Sequence, residues 1–208
     1  MDETYTRLKQ QITSRGPWQQ TASGNAFFLA DPSYLEVTLN DVAHSLANQC
    51  RFNGHVKEFY SVAQHATMMS VWMEEDGYPM EWCLAALHHD SAEAYTGDII
   101  AQVKHIIPEF KGLETDVAIA VDAAMGVAWT ERMAETVKEY DFIALSTEVR
   151  DVLRPNKTNL SWGALPPPRA HELQPMDPVR ARTSFLVRHL YITNQIKIRE
   201  ERYDRRNA

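Results

Sequence analysis

The sequence predicts an all-α protein, a bundle of helices that forms a single domain over residues 1–208 with its core at about 35–190. Apolar residues recur at every third or fourth position along most of the chain, which is the spacing of an amphipathic helix. Residues that typically begin or end helices separate these stretches. An alternating strand pattern is absent except between Asn25 and Val37, where a short strand pair is expected.

The first three helices can be placed from residues at their boundaries. The first, Thr38–Gln49, opens with the capping-box-like pattern Thr38-x-x-Asp41. The second, Phe59–Asp76, is followed by a glycine, which commonly ends a helix. Pro79 suits the first turn of the third helix, which is expected to continue to about Tyr95.

The second half of the chain predicts three further helices and two irregular segments. The helices are Lys111–Met125, Thr130–Leu153 and Asp177 to about Arg202. Gly126 ends the first of these, Thr130 can cap the second, and Asp177-Pro178 begins the third. Three consecutive prolines make segment 155–175 a surface loop, and the basic but acid-interrupted segment 202–208 is expected to be a frayed tail.

The composition favours an ordinary cytoplasmic protein. The net charge of −7 argues against a nucleic-acid-binding surface, which would need a basic stripe. No apolar stretch is long enough to span a membrane, and the opening residues MDETYTRLKQQ are too polar for a secretory signal. The two cysteines, Cys50 and Cys83, form neither a disulfide framework nor a CxxC zinc pattern.

A histidine, a His-Asp pair and a later aspartate lie on three separate helical stretches and form a candidate metal site. They are His65, His89-Asp90 and Asp141. Nitrogen and oxygen ligands of this kind suit zinc, cobalt or manganese, and also iron. A lone His65 would more simply be a core histidine satisfied by a hydrogen bond, but its partnership with the other three residues favours a ligand. Asp141 lies among apolar residues, where a carboxylate without a cation is costly.

The order of these residues resembles that of the HD-domain phosphohydrolases. The resemblance rests on three stretches, DVAHSLANQCRFNGHVKEFYSVAQHA (41–66), ALHHDSAEAYTGDI (86–99) and DFIALSTEVRDVL (141–153). Within that family the pattern is most similar to the 5′-deoxynucleotidase-like branch. This branch includes bacterial deoxynucleoside monophosphatases and phage dATP triphosphohydrolases.

The resemblance implies a metal-dependent enzyme that hydrolyses 5′-phosphates of deoxynucleotides. It makes Glu93 the group that orients or deprotonates the attacking water, or passes a proton to the leaving oxygen. It places Asp98 at the sugar 3′-hydroxyl, where it would favour deoxyribose. Dinuclear relatives carry two further histidines between the His-Asp pair and the last aspartate, whereas this interval contains only His105. One divalent ion is therefore expected.

Cationic and aromatic residues near these motifs are candidate substrate contacts. Arg51 can bind a phosphate through two hydrogen bonds. Phe52 takes a position where relatives often carry a tryptophan, so it could stack on the base, shape the pocket or simply pack in the core. The remaining candidates for phosphate contact are His55, Lys57, Lys104 and Lys111. The two later lysines, like Glu93, could instead be solvated helix-end residues, and Asp98 could cap its own turn.

Two functions from different classes fit the sequence. The first is the deoxynucleotide phosphohydrolase, acting on monophosphates or triphosphates in the cytoplasm of a bacterium or a phage-infected cell. The alternative is a nucleotide-binding regulatory protein that retains the metal site without turnover. The final predicted helix is apolar on more than one side, which favours a homo-oligomer, although the loop 155–175 could instead cover the surplus.

Overall fold

The computed structural model describes residues 13–207, which are mostly helical, and confirms the all-α prediction. The opening segment MDETYTRLKQQ, which was expected to be too polar for a secretory signal, lies outside the described residues, as does Ala208. The helices, numbered in chain order, are α1 Leu39–Asn48, α2 Val62–Glu75, α3 Met80–His88, α4 Glu93–Thr96, α5 Ala101–Ile106, α6 Phe110–Met125, α7 Glu131–Asp151 and α8 Pro178–Asn207. Short 3₁₀ turns occupy Tyr34–Glu36 and Phe52–Gly54.

A two-stranded antiparallel sheet precedes the helices. Strand β1, Trp18–Gln20, pairs with β2, Ala26–Phe28, and places Trp18 opposite Phe28. The expected strand pair between Asn25 and Val37 is therefore only half right, because the partner of β2 lies earlier in the chain. The sequence Trp-Gln-Gln of β1 lacks the apolar alternation that would have identified it.

Three of the predicted helix boundaries coincide with observed caps. The hydroxyl of Thr38 accepts a hydrogen bond from the Asp41 backbone N–H at 3.1 Å, and that of Thr130 accepts one from Met133 at 3.2 Å. Gly126 ends α6 in the left-handed conformation, with φ of 73°. These caps satisfy backbone groups that have no partner within the helix.

The second helix begins three residues later than predicted. Ser61 rather than Phe59 marks its start, because the Ser61 hydroxyl accepts a hydrogen bond from the Gln64 backbone N–H at 3.2 Å.

The third helix differs from its prediction in a way that matters for function. It ends at His88, a turn follows over residues 89–92, and the chain re-enters a helix only at Glu93. The His89 ring nitrogen Nδ1 bonds to the Ala86 carbonyl at 2.8 Å within this turn. The His-Asp pair therefore lies at the end of α3 rather than inside a longer helix.

The core lies where α1, α2, α3 and α8 pack against one another. Its fully buried side chains include Val42, Leu46, Met69, Leu87 and Phe185. Helix α7 lies against α2 and α3, and α6 contacts α4 and the turn at 34–36. This arrangement brings the ends and faces of α2, α3 and α7 to one place.

Two peripheral predictions have different outcomes. Segment 155–175 is irregular, as expected, and Arg150 holds it by donating to the carbonyls of Arg169 and His171 at 2.8 and 3.1 Å. The prediction of a frayed tail from residue 202 is wrong for the described part, since α8 continues to Asn207. Strong helix formers and the i,i+4 pair of Glu201 with Arg205 stabilise this exposed end. None of the described helices is both long and apolar enough to cross a membrane.

Candidate metal centre

Three of the four predicted ligands, His65, His89 and Asp141, offer donor atoms that all lie within 4.8 Å of one another, and Asp90 lies next to the two histidines. His65 comes from α2, His89 and Asp90 from the turn after α3, and Asp141 from α7. His65 Nε2 lies 3.3 Å from His89 Nε2, 3.7 Å from Asp90 Oδ2 and 3.5 Å from Asp141 Oδ1, and the His89 and Asp90 atoms are 3.1 Å apart. Ligand bonds of about 2.0–2.2 Å place neighbouring donor atoms roughly 3.0–3.5 Å apart, so the spacing is close to that of a coordination shell.

The orientation of the two imidazoles also fits a cation. His65 Nδ1 contacts Glu148 Oε1 at 2.6 Å, and His89 Nδ1 contacts the Ala86 carbonyl at 2.8 Å. Because a carboxylate and a carbonyl only accept hydrogen bonds, each Nδ1 must donate its proton. In the neutral form of each ring the lone pair is then on Nε2, and the two Nε2 atoms lie 3.3 Å apart, so an ion between them could take the place of their protons.

Charge near the centre keeps its carboxylates ionised. Burial opposes ionisation of Asp90, but the charge and hydrogen bond of His89 hold the pKa of Asp90 far below its ordinary value. Burial likewise opposes ionisation of Asp141, and the charges of His89 and His65 lower its pKa. Asp141 also accepts a hydrogen bond from Lys138 at 2.7 Å. Anionic oxygens of this kind are metal ligands without further proton loss.

Glu148 and Arg51 contact the candidate ligands and each other. Glu148 is fully buried, and its second oxygen lies 3.3 Å from Arg51 Nη2. Arg51 Nη1 reaches Asp90 at 3.5 Å, while the buried Arg51 Nε has no hydrogen-bond partner among the described residues. The contact of Glu148 with His65 Nδ1 places it directly behind a predicted ligand. The spacing from Asp141 to Glu148, two helical turns, is the signal that links them.

Glu93 lies beside the ligands without belonging to them. It is 5% exposed, and its Oε2 atom has no partner among the described residues. Burial, together with the negative charges of Asp90 and Asp98, raises the pKa of Glu93 well above its ordinary value. The alternative that Glu93 is a solvated helix-end residue is therefore wrong.

Asp98 follows Gly97 in a half-buried turn. Its backbone N–H donates to Gln49 Oε1 at 2.9 Å, and the same Gln49 side chain donates to the Glu93 carbonyl at 2.9 Å. Burial raises the pKa of Asp98, and the charge of Arg51 opposes this rise. Gln49, which the sequence did not single out, thus ties the two predicted catalytic residues together.

The predicted phosphate contacts have different outcomes. Lys104 lies 3.5 Å from Glu93 and 2.5 Å from Glu114, so two carboxylates already hold it near the centre. Lys57 is exposed and donates to the Asp151 carbonyl at 2.9 Å, away from the ligands. Lys111 is exposed in the first turn of α6, and the structure records no contact between it and the four ligands. Phe52 and His55 line a separate, larger cavity.

His88 and a small cavity lie next to the predicted site. His88 is buried, and both of its ring nitrogens have partners, Ser91 Oγ and His189 Nδ1 at 2.9 Å each, so it packs beside the site rather than joining the ligands. A cavity of about 230 Å³ touches the centre. Its lining comprises His89, Asp90, Ala92, Glu93, Glu114, Thr115 and Ala118. Glu114 was missed in the sequence because it lies on α6, far along the chain from the motifs.

Comparison with known proteins identifies two relatives, and no protein-family model matches the chain. The uncharacterized protein YfdR of Escherichia coli (strain K12) is 38% identical over 133 residues, which cover 64% of this chain and 71% of YfdR. The uncharacterized protein RCAP_rcc00048 of Rhodobacter capsulatus is 37% identical over 94 residues, covering 43% of this chain and 48% of that relative.

Proposed function

The chain belongs to the same family as YfdR of Escherichia coli, and we propose that it is a metal-dependent phosphohydrolase of the HD-domain type that acts on 5′-phosphates of deoxynucleotides. The observation that carries the proposal is the cluster of His65, His89 and Asp141, whose donor atoms all lie within 4.8 Å of one another. Asp90 lies 3.1 Å from His89, and the buried Glu93 lies next to the cluster. The residue order that resembles the HD-domain family supports the same assignment.

His65, His89 and Asp141 would hold one divalent ion of the zinc, cobalt, manganese or iron type, with the neighbouring Asp90 as the fourth ligand. When bound, the ion would supply the Lewis acidity that polarises a phosphoryl oxygen and lowers the pKa of water. Glu148 and the Ala86 carbonyl hold the two imidazoles in the tautomer that this requires.

The remaining residues bind the phosphate and move protons. Arg51 presents an unpartnered Nε in a buried position beside Asp90, so it can donate a hydrogen bond to a phosphate oxygen. Glu93 exchanges a proton with the attacking water or with the departing 5′-oxygen, since its free Oε2 lies in the buried region next to the ligands. Asp98 is assigned to the sugar, where its half-buried carboxylate accepts from the 3′-hydroxyl.

Monophosphates and triphosphates are both compatible with this arrangement. Release of phosphate from the former and of triphosphate from the latter breaks the same bond, between the phosphorus atom and O5′. Lys104 would contact the longer phosphate tail only if it leaves Glu114. We assign the enzyme to the cytoplasm and assign it no nucleic-acid partner, because its net charge is −7 and its two cysteines are free.

The test is product release by metal-loaded protein from all deoxynucleoside mono- and triphosphates, with phosphate and triphosphate measured separately. Glu93→Gln should lower turnover about 10²–10⁴-fold, the usual contribution of a general acid-base group, and should still bind the metal. Glu135→Gln, an exposed position on α7, is the matched control. Full activity of Glu93→Gln, or no product from any of the nucleotides, would refute the proposal.

A further inference from the structure

The helix that carries Glu93 is too short to fix its own position. Helix α4 comprises only the four residues Glu93–Thr96, whereas isolated helices shorter than about 12–15 residues are marginal in water. At its end the Gly97 N–H donates to the Glu93 carbonyl at 2.9 Å. The direction of the Glu93 side chain therefore depends on contacts that other parts of the fold make with α4.

Three consecutive carbonyls of this short helix, those of residues 93–95, each accept a hydrogen bond from a side chain outside α4. The donors are Gln49, Ser45 and Gln19, in that order, at 2.9, 2.8 and 2.9 Å. Ser45 lies on α1, Gln49 directly follows α1, and Gln19 lies on β1. The last carbonyls of a helix have no partner within it, so these side chains both satisfy α4 and fix its place in the fold.

Gln49 differs from the other two donors because it also reaches Asp98. Gln49 Oε1 accepts from the Asp98 backbone N–H at 2.9 Å, and Gln49 Nε2 donates to Ser45 Oγ at 2.9 Å as well as to the Glu93 carbonyl. The side-chain amide thus uses its oxygen and both of its hydrogens. Its orientation is fixed, since the Glu93 carbonyl can only accept and the Asp98 N–H can only donate. One side chain therefore links the backbone of both residues.

The chain between Glu93 and Asp98 does not fix their relative position by itself. Gly97 joins α4 to Asp98 with a φ of 83°, in a region that glycine enters freely because it has no Cβ. The same freedom allows glycine to adopt other conformations at this point. The bond from Asp98 to Gln49 supplies the constraint that the backbone lacks.

The backbone of Gln49 is tied in turn to a helix of the candidate metal centre. Its carbonyl accepts from the Val62 N–H at 3.2 Å, and Val62 is the first residue of α2, the helix that carries His65. Gln49 is half-buried, so this link lies inside the fold rather than on a solvated surface. Its backbone is thus held against the ligand helix, while its side chain holds Glu93 and Asp98.

We propose that Gln49 is a positioning residue that sets Glu93 and Asp98 relative to each other and to the metal centre. This inference rests on the proposed function, which gives Glu93 the proton transfer and Asp98 the sugar contact. Gln49 acts through these two residues, so it controls both the rate of turnover and the preference for deoxyribose. A residue that only stabilised the fold would affect deoxy- and ribonucleotides equally.

The experiment compares hydrolysis of dAMP and dATP with that of AMP and ATP by metal-loaded Gln49→Met, whose side chain has a similar length but no amide. The kcat for the deoxynucleotide should fall about 10- to 100-fold, because a displacement of about 1 Å can cost about 10²-fold in rate. The preference for deoxyribose in kcat/KM should fall to that of Asp98→Ala. Asn48→Leu is the control, since it removes an exposed neighbouring amide that bonds only within α1, and it should match the wild type.

Two further measurements separate positioning from a general loss of structure. Adding Asp98→Ala to Gln49→Met should leave the sugar preference at the value of Asp98→Ala alone, because both changes act through one contact. Hydrogen exchange at the Asp98 amide, followed by NMR, should be about 2- to 10-fold faster in Gln49→Met, the effect of losing one hydrogen bond. Gln49→Glu keeps the acceptor for this amide but loses the donor to Glu93, so it should retain the slow exchange and the sugar preference while kcat falls.

The inference and the proposed function can fail separately. If Gln49→Met keeps the wild-type sugar preference, or loses activity equally on both sugars, the inference is overturned. If the wild type hydrolyses none of the four nucleotides, the proposed function fails, and exchange at the Asp98 amide then decides the role of Gln49. Faster exchange in Gln49→Met but not in Gln49→Glu would support the positioning of this turn by Gln49, and unchanged exchange in both would overturn it.

Discussion

Removing the charge of Glu148 should weaken metal binding without removing any ligand. Glu148 is fully buried and contacts His65 Nδ1 at 2.6 Å and Arg51 Nη2 at 3.3 Å. In Glu148→Gln the amide oxygen can still accept from His65, so the ring orientation survives while the negative charge is lost. In Glu148→Ala both contacts are lost, which leaves the His65 N–H and the Arg51 guanidinium buried without this partner.

Residues that orient metal-bound histidines typically contribute about 10- to 100-fold in affinity, or about 1.4–2.7 kcal/mol. We expect Glu148→Gln near the lower value and Glu148→Ala at or above the upper one. Competition with a chelator of known zinc affinity measures the change, and Glu135→Gln is the control on the same helix. Circular dichroism shows whether each variant remains folded. A folded Glu148→Ala protein with wild-type zinc affinity would refute this role for Glu148.

Three further predictions concern charge, substrate and assembly. Burial raises the pKa of Asp122 to about 6, so the folded state favours its protonated form and the wild type gains stability as the pH falls from 6 to 4. Asp122→Asn, which can keep the hydrogen bond from Trp129, should therefore stabilise the protein at pH 7 and reduce this gain. Because Asp122 is partly exposed, we expect a change of about 1 kcal/mol in the free energy of unfolding, measured by thermal unfolding across this pH range. Asp98→Ala should lower the preference for dAMP over AMP in kcat/KM, and an unchanged preference would remove Asp98 from the sugar site. Val187 and Leu190, one turn apart on α8, are 60% and 61% exposed, which favours a homo-oligomer that covers them. Light scattering should detect this oligomer in the wild type and a monomer when both residues are changed to Glu. A monomeric wild type would contradict this prediction.

The residues of the candidate metal centre could be predicted because their chemistry conflicts with their local surroundings. His65 is buried and Asp141 is half-buried among apolar residues of its helix, where an uncompensated polar group is costly. That conflict is visible in the sequence before any contact is known. The helix boundaries at Thr38, Thr130 and Gly126 could be predicted for a similar reason, because a cap depends only on residues within one turn of it.

The break after His88 could not be predicted from the same kind of signal. The segment His-His-Asp-Ser-Ala-Glu-Ala contains no glycine or proline, and its residues are compatible with a continuous helix. The turn depends on side-chain contacts, such as those of His89 with Ala86 and of His88 with Ser91 and His189. His189 lies a hundred residues further along the chain, so only the folded structure brings these groups together.

The contacts of the lysines could not be predicted from the sequence either. Lys57 and Lys104 were both predicted to contact phosphate, yet Lys57 donates to the Asp151 carbonyl, whereas Lys104 bridges Glu93 and Glu114. A lysine side chain has many rotamers and no fixed direction, so its partner is chosen by whichever acceptor the fold places within reach. Glu114, on α6, is such an acceptor and carries no motif of its own.

The balance of charge around the centre connects these observations with the proposed ion. Six carboxylates lie at or next to the site, against three cationic side chains. The carboxylates are Asp90, Glu93, Asp98, Glu114, Asp141 and Glu148, and the cations are Arg51, Lys104 and Lys138. With both imidazoles neutral, as metal binding requires, protonation of Glu93, which burial favours, leaves an excess of two negative charges. A phosphate would be repelled by that excess, whereas one divalent cation cancels it, so the same ion that satisfies the two facing imidazoles also allows an anionic substrate to approach.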